Sequence, residues 1–249
     1  MQPEFLREKV IYHFTDASAA YARRRGIVHR EEDPIIVDFV RKRGSDLGRV
    51  LEVGGGTGYL LDLLAEEAGV AQFYNCELVY QAYRKQVNPS TVLVGGNALS
   101  LPFAESKFDY VIAKNLLHHL VGKTRKESKG FAQKAAIELR RVVKSGGHII
   151  ILEQYHQYRP CADSLFYLTL LLSMGSFQLE VLGIRPKVIV SFLTPIEIRK
   201  LFLGAYAEKD QVILDRFMAI SAASPTSPIR FLPLLNRFGR LLLIKVVNK

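Results

Sequence analysis

The stretch "LEVGGGTGYLLDLLAEEAG", residues 51–69, sets four glycines within five positions, after an apolar run and before leucines at helical spacing. Arg49 to Val53 reads as a buried strand. Tyr59 to Ala68 reads as a helix, with Leu60, Leu61 and Leu64 opposite Asp62, Glu66 and Glu67, and Gly69 is placed to end it. The glycines therefore join a strand to a helix. In an open α/β sheet such a turn lies beyond the carboxyl end of the strand, where backbone N–H groups can approach a ligand closely.

The same alternation runs outward from this unit. A helix over Pro34 to Arg43 precedes it, with Ile35, Ile36, Phe39 and Val40 on one face. Strands are expected at Gln72–Cys76, Thr91–Val94, Tyr110–Ala113 and His148–Leu152, with a helix around Gly130–Val143 and a turn at Lys144-Ser145-Gly146-Gly147. Strands alternating with helices predict a parallel sheet covered on both faces. The apolar segment 157–193 breaks the rhythm and reads as an irregular inserted cap over the ligand edge. Thr194-Pro195-Ile196-Glu197 then opens a helix with a capping-box pattern. A last strand is expected at Gly239–Val247, after the Pro-rich residues 224–233. The expectation is one domain over residues 1–249, with residues 1–33 as an N-terminal cap segment.

Composition narrows the class. The 249 residues are 49% hydrophobic, enough for a large α/β core. Cys76 and Cys161 are the two cysteines, no leader pattern opens the chain and no metal-ligand cluster is visible, so a reduced, cytoplasmic protein without a metal is expected. The net charge of +10 favours anionic partners and leaves peripheral contact with an anionic membrane open. The groups Arg23-Arg24-Arg25 and Arg41-Lys42-Arg43 are most simply solvated helix faces. The apolar run Leu165–Met174 is short of the roughly 20 residues that span a bilayer.

The glycine turn fails the dinucleotide pattern G-x-G-x-x-G, because the sixth position is Tyr59, and the phosphate loop G-x-x-x-x-G-K-[ST] is absent. What remains is Glu52-Val53-Gly54-Gly55-Gly56-Thr57-Gly58. An acid at the strand end would repel a phosphate and suit an ammonium group. Here the chain resembles the class I S-adenosylmethionine-dependent methyltransferases, whose first motif is an acid, an apolar residue and G-x-G-T-G. Glu77 closes the second strand about 20 residues on, where an acid takes a ribose diol. Gly96-Asn97-Ala98-Leu99-Ser100-Leu101-Pro102-Phe103 resembles the family's adenine-edging stretch. Phe108-Asp109-Tyr110-Val111, Leu117-His118-His119-Leu120 and Glu138-Leu139-Arg140-Arg141-Val142 before Gly146-Gly147 follow in family order. The resemblance covers residues 45–155 and is closest to methyltransferases of quinones, sterols and other small molecules.

The resemblance implies a Rossmann-like, seven-stranded, mostly parallel sheet with helices on both faces, S-adenosylmethionine as cofactor, and cofactor contacts from Glu52, Gly54, Gly56, Gly58, Glu77, Asn97, Ala98 and Asn115. Asn97 stands where the family has aspartate; its amide carbonyl can still accept from the adenine amine. Methyl transfer from a sulfonium is an in-line displacement, so alignment and exclusion of water are the main tasks. A general base helps where the acceptor is a hydroxyl or an acidic carbon. The candidates are His118 and His119 after strand four, and Glu153 and His156, with Tyr155, after strand five. Packing or capping is the plainer role for His118, and loop solvation is the alternative to substrate orientation for Glu153.

The apolar segment 157–193 suits a small hydrophobic acceptor. With the basic charge and the Arg-Phe-Leu-Pro-Leu-Leu-Asn-Arg-Phe-Gly-Arg segment from residue 230, it suggests a lipid-like acceptor met at a membrane surface. The alternatives are a cofactor-binding protein without turnover, a methyltransferase of RNA or protein, and a nicotinamide oxidoreductase. Lys114-Asn115-Leu116-Leu117 lacks the motif of nucleic-acid N-methylating enzymes, and a nucleophilic role for Cys161 is disfavoured by its distance from strand five.

Overall fold

A computed structural model describes residues 4–23, 32–174, 189–204, 209–219 and 237–249. In chain order the elements are α1 (Glu4–Arg23), α2 (Asp33–Arg41), β1 (Asp46–Val53), α3 (Tyr59–Glu67), β2 (Val70–Glu77), α4 (Tyr80–Tyr83), β3 (Val92–Gly95) and β4 (Phe108–Lys114). A 3-10 turn at Leu117–His119 follows, then α5 (Arg125–Val142), β5 (Val143–His156), α6 (Arg159–Met174), α7 (Pro195–Leu203), β6 (Gln211–Ala219) and β7 (Phe238–Val246).

The strands form a seven-stranded sheet of order β3-β2-β1-β4-β5-β7-β6. β1 to β5 run parallel; β7 is antiparallel to both β5 and β6. Two apolar layers hold it. On one face Leu51, Val111, Ile149 and Ile151 pack under Ala135 and Leu139 of α5 and Ile198 and Phe202 of α7. On the other, Val50, Ile112 and Ile150 pack under Ile36 and Val40 of α2 and Leu60 and Leu64 of α3. Central strands buried on both faces need near-continuous apolar runs, which is why Arg49–Val53 was legible as a strand. The chain steps outward from β1 to β3 and returns to β4 on the other side of β1. The crevice of this topology therefore opens beyond the carboxyl ends of β1 and β4.

Several expectations are refined. The turn at 144–147 lies inside β5: Gly146 takes φ +77°, and the β4–β5 register steps from Phe108↔Val143 to Tyr110↔His148 around it. The segment 157–193 is not irregular where it is described, since residues 159–174 form α6, whose long apolar side chains favour helix as readily as loop. Phe177, residues 175–188, Arg24, Arg25 and residues 224–236 lie outside the described residues. β6 and α1 were not read at all, although Leu6, Val10 and Phe14 recur every four residues. α1 spans the carboxyl edge of the sheet. Leu6 packs with Val121, Phe166 and Ile189, while Ile11 and Phe14 pack against Val79, Tyr83 and Val87. Arg41 and Lys42 pair with Asp38 on an exposed helix face. Among the described residues no helix is long and apolar enough to cross a membrane.

Candidate active site

Where β1 ends, the chain turns sharply. Gly54 takes φ +73°, and its N–H donates to the Cys76 carbonyl at 2.8 Å, tying the loop to β2. A Cβ on Gly55 would lie 2.6 Å from Glu52 Oε2 and 2.8 Å from Asn75 Oδ1, so any side chain there displaces both. The Gly56 N–H donates to Glu77 Oε2 at 3.1 Å, and Asn75 Nδ2 donates to the Gly56 carbonyl at 3.0 Å. Gly58, at φ +72°, is the N-cap of α3.

The acids around this loop are buried. Glu77 accepts from Gly56 and, through Oε1, from the Val79 N–H at 3.2 Å. Burial raises its pKa, and these backbone bonds partly offset that. A carboxylate has about four acceptor positions, so capacity remains for two hydroxyl donors. Burial pushes Glu52 up to about 8, against the pull of Lys114, whose ammonium is paired with Asp33. Asn115 takes φ +52° directly after β4, and its Oδ1 is buried with no hydrogen-bond partner among the described residues. Asn97 Oδ1 accepts from the Leu99 N–H at 2.9 Å, leaving one carbonyl lone pair and the amide donors. Cys76 also faces this region, and burial pushes its thiol up to about 12, which makes it a poor nucleophile.

The other end of the crevice is aromatic. His118 Nδ1 lies 2.5 Å from Glu153 Oε1, and Glu153 Oε2 accepts from the Leu117 N–H at 2.7 Å. With Nδ1–H given to the carboxylate, Nε2 is the basic nitrogen of the ring. His118 stacks on Phe192 at 5.3 Å and lies 4.0 Å from His119. His119 meets Phe14 of α1 edge to face at 4.8 Å. Burial, and then the neighbouring His118 and His13, hold its pKa well below the ordinary histidine value.

Both ends open into one cavity of about 490 Å³. Among the residues singled out from the sequence, Glu52, Gly54, Gly56, Glu77, Asn97, Ala98, Asn115, His118 and His119 line it. Gly58, Glu153 and His156 are not among its described lining residues. Gly58 caps α3 behind the loop, and Glu153 lies behind His118. His156 is fully buried, bonded through Nδ1 to the Tyr158 backbone and packed on Phe238, with Tyr155 against Phe217. Sequence reasoning missed Val10, Phe14, Tyr83 and Gln154, which also line the cavity. The four-residue spacing in α1 was the available signal for the first two.

Residues 51–151 match the family described as a methyltransferase domain. These residues form a methyltransferase domain. The solved structures agree in fold. The chain superposes on a chain from the Haloferax volcanii complex between the Trm112 methyltransferase activator and a methyltransferase with TM-score 0.63, at 16% identity, covering 95% of this chain and 98% of that one. The Burkholderia thailandensis 1,6-didemethyltoxoflavin-N1-methyltransferase, solved with 1,6-didemethyltoxoflavin and S-adenosylhomocysteine, gives 0.58 at 10% identity, covering 100% and 92%. In sequence, the Cupriavidus taiwanensis ubiquinone/menaquinone biosynthesis C-methyltransferase is 29% identical over 127 residues, 45% of each chain. The chain spans less than half the length of the curated relatives it matches, 25% and 45%. The cavity of the methyltransferase domain fits the cofactor on its own chemistry. Spare acceptor capacity on Glu77 suits a diol, and the buried Oδ1 of Asn115 suits an ammonium group.

Proposed function

We propose that this protein transfers a methyl group from S-adenosylmethionine to a small, hydrophobic acceptor. The observation that carries the reading is a single cavity that joins the glycine loop and Glu77 at one end to His118, Phe14, Val10 and Leu120 at the other. The cofactor supplies an electrophilic methyl on a sulfonium. The residues of this chain bind and orient: Glu77 takes the ribose hydroxyls, Asn97 and Ala98 edge the adenine, and Glu52 and Asn115 serve the charged amino-acid end. Val10 and Phe14 of α1 exclude water from the acceptor side. His118 takes a proton from the acceptor through Nε2, while Glu153 fixes its ring and tautomer.

Two features support an apolar acceptor: the apolar walls from α1 and Leu116, and the likeness to a quinone C-methyltransferase. The net charge of +10 suits an acceptor met at an anionic membrane surface. The test is incubation with methyl-labelled S-adenosylmethionine and a whole-cell extract, followed by partition between organic and aqueous phases. Label in the organic phase is expected. Label confined to the aqueous phase refutes the apolar acceptor and points to polar metabolites, RNA or protein. Cofactor binding without label in either phase favours the non-catalytic reading.

A further inference from the structure

Asn75 belongs to no motif read from the sequence, yet it is fully buried at the centre of the cofactor loop's support. In the β1–β2 register it pairs with Glu52, so the two side chains stand side by side on one face of the sheet. Its Nδ2 is committed to the Gly56 carbonyl at 3.0 Å, which turns Oδ1 the other way. Asn75 Oδ1 and Glu52 Oε2 both lie within 2.8 Å of one point, the place a Gly55 Cβ would take. Both are buried, and neither has a hydrogen-bond partner among the described residues.

Two acceptors held together in a buried site repel unless one of them carries a proton. The amide orientation is set by Gly56, so the carboxyl must be the donor. We propose that Asn75 is a positioning residue of the cofactor loop, locked by a hydrogen bond from a protonated Glu52 Oε2 to its Oδ1. The chain of contacts then runs Glu52, Asn75, Gly56 carbonyl, with the Gly56 N–H fixed in turn by Glu77. That chain orders the two peptide groups that flank Gly56.

The electrostatics agree. Burial raises the Glu52 carboxyl from 4.5 to about 8. Of the charges that act on it, Lys114 from β4 favours the carboxylate, and Asp33 from α2 and Glu77 from β2 oppose it. A carboxyl whose folded pKa is raised binds more protons in the native state. Stability is therefore greatest at acid pH and falls as pH rises from about 4.5 through about 8.

Infrared spectroscopy of the cofactor-free protein at pH 7 tests the proton directly. A protonated-carboxyl band in the wild type that disappears in Glu52→Gln is expected; identical spectra overturn the proposal. The Gln amide supplies a permanent donor to Asn75, so the Tm of Glu52→Gln should lose a fall of a few degrees that the wild type shows between pH 5 and about 8.5. Parallel Tm curves would also overturn it. Asn75→Leu should weaken S-adenosylhomocysteine binding about tenfold, and binding equal to wild type removes the positioning role. The role of Asn75 at the cofactor rests on the methyltransferase reading. The infrared and Tm results do not, so a wild type that shows the band and ignores S-adenosylhomocysteine would sink that reading alone.

Discussion

Glu153 Oε1 lies 2.5 Å from His118 Nδ1, while the other oxygen of the same carboxylate holds the Leu117 N–H. One buried acid thus fixes both the backbone that carries the histidine and the ring itself. A carboxylate behind the Nδ1–H sets the tautomer and stabilises the imidazolium that forms when Nε2 takes a proton.

From this pair, His118→Ala should lower kcat by roughly 10²–10⁴-fold and leave the dissociation constant of S-adenosylhomocysteine close to wild type. Glu153→Gln should lower kcat less and shift the pH–rate profile, because an amide cannot serve both His118 and Leu117 as the carboxylate does. Steady-state kinetics against pH check this; unchanged kcat in His118→Ala would remove the base.

Cofactor affinity should depend on the loop and on Glu77. Glu77→Ala should weaken S-adenosylhomocysteine binding roughly ten- to a hundredfold, a net loss of about 1.5–3 kcal/mol for its charge-assisted bonds to the ribose. Gly56→Val places a β-branched residue at φ +53°, a left-handed conformation costing about 1–2 kcal/mol. Gly55→Ala acts differently, by driving a methyl into Glu52 and Asn75. Titration calorimetry of the three variants tests these effects.

Helix α7 begins with a complete capping box: the Thr194 hydroxyl accepts from the Glu197 N–H and the Glu197 carboxylate accepts from the Thr194 N–H. Thr194→Ala should cost about 1 kcal/mol of stability, read as a Tm lowered by a few degrees. A Tm within error of wild type would show that the packing of Ile198 and Phe202 alone holds the helix start.

Acid lability should trace in part to His148. Burial first, and then Arg43, lower its pKa from 6.5 to about 4, and its Nε2 accepts from Arg43 Nε at 3.2 Å. A base whose folded pKa is depressed binds fewer protons in the native state. Its contribution is present above about 6.5 and is lost as pH falls toward 4. His148→Phe keeps the stack on Tyr110, so its Tm should fall less steeply over that window than that of the wild type.

Much of this was legible in residues 49–69, because a buried strand, a glycine turn and an amphipathic helix each leave a local period in the chain. Thr194 and Glu197 were legible for the same reason, three residues apart at a helix start. Glu77 was legible as the close of the second strand, and Asn97 through the resemblance of Gly96–Phe103 to the family's adenine-edging stretch. α1 and β6 were not recognised: α1 mixes polar residues into its apolar row, and β6 is an edge strand with Val212, Ile213 and Phe217 exposed, so its alternation is weak.

What local pattern determined, then, is the order of strands and helices, the glycine turn and the acids beside it. Tertiary structure decided which of these residues meet. His118 and Glu153 are 35 residues apart and touch because β4 and β5 pair with Lys114 opposite Leu152. Asn75 and Glu52 face each other because β1 and β2 share a register, and Phe14 reaches His119 because α1 folds back across the sheet edge. Such contacts depend on register and on long-range packing of apolar faces, and neither leaves a mark on the few residues to either side.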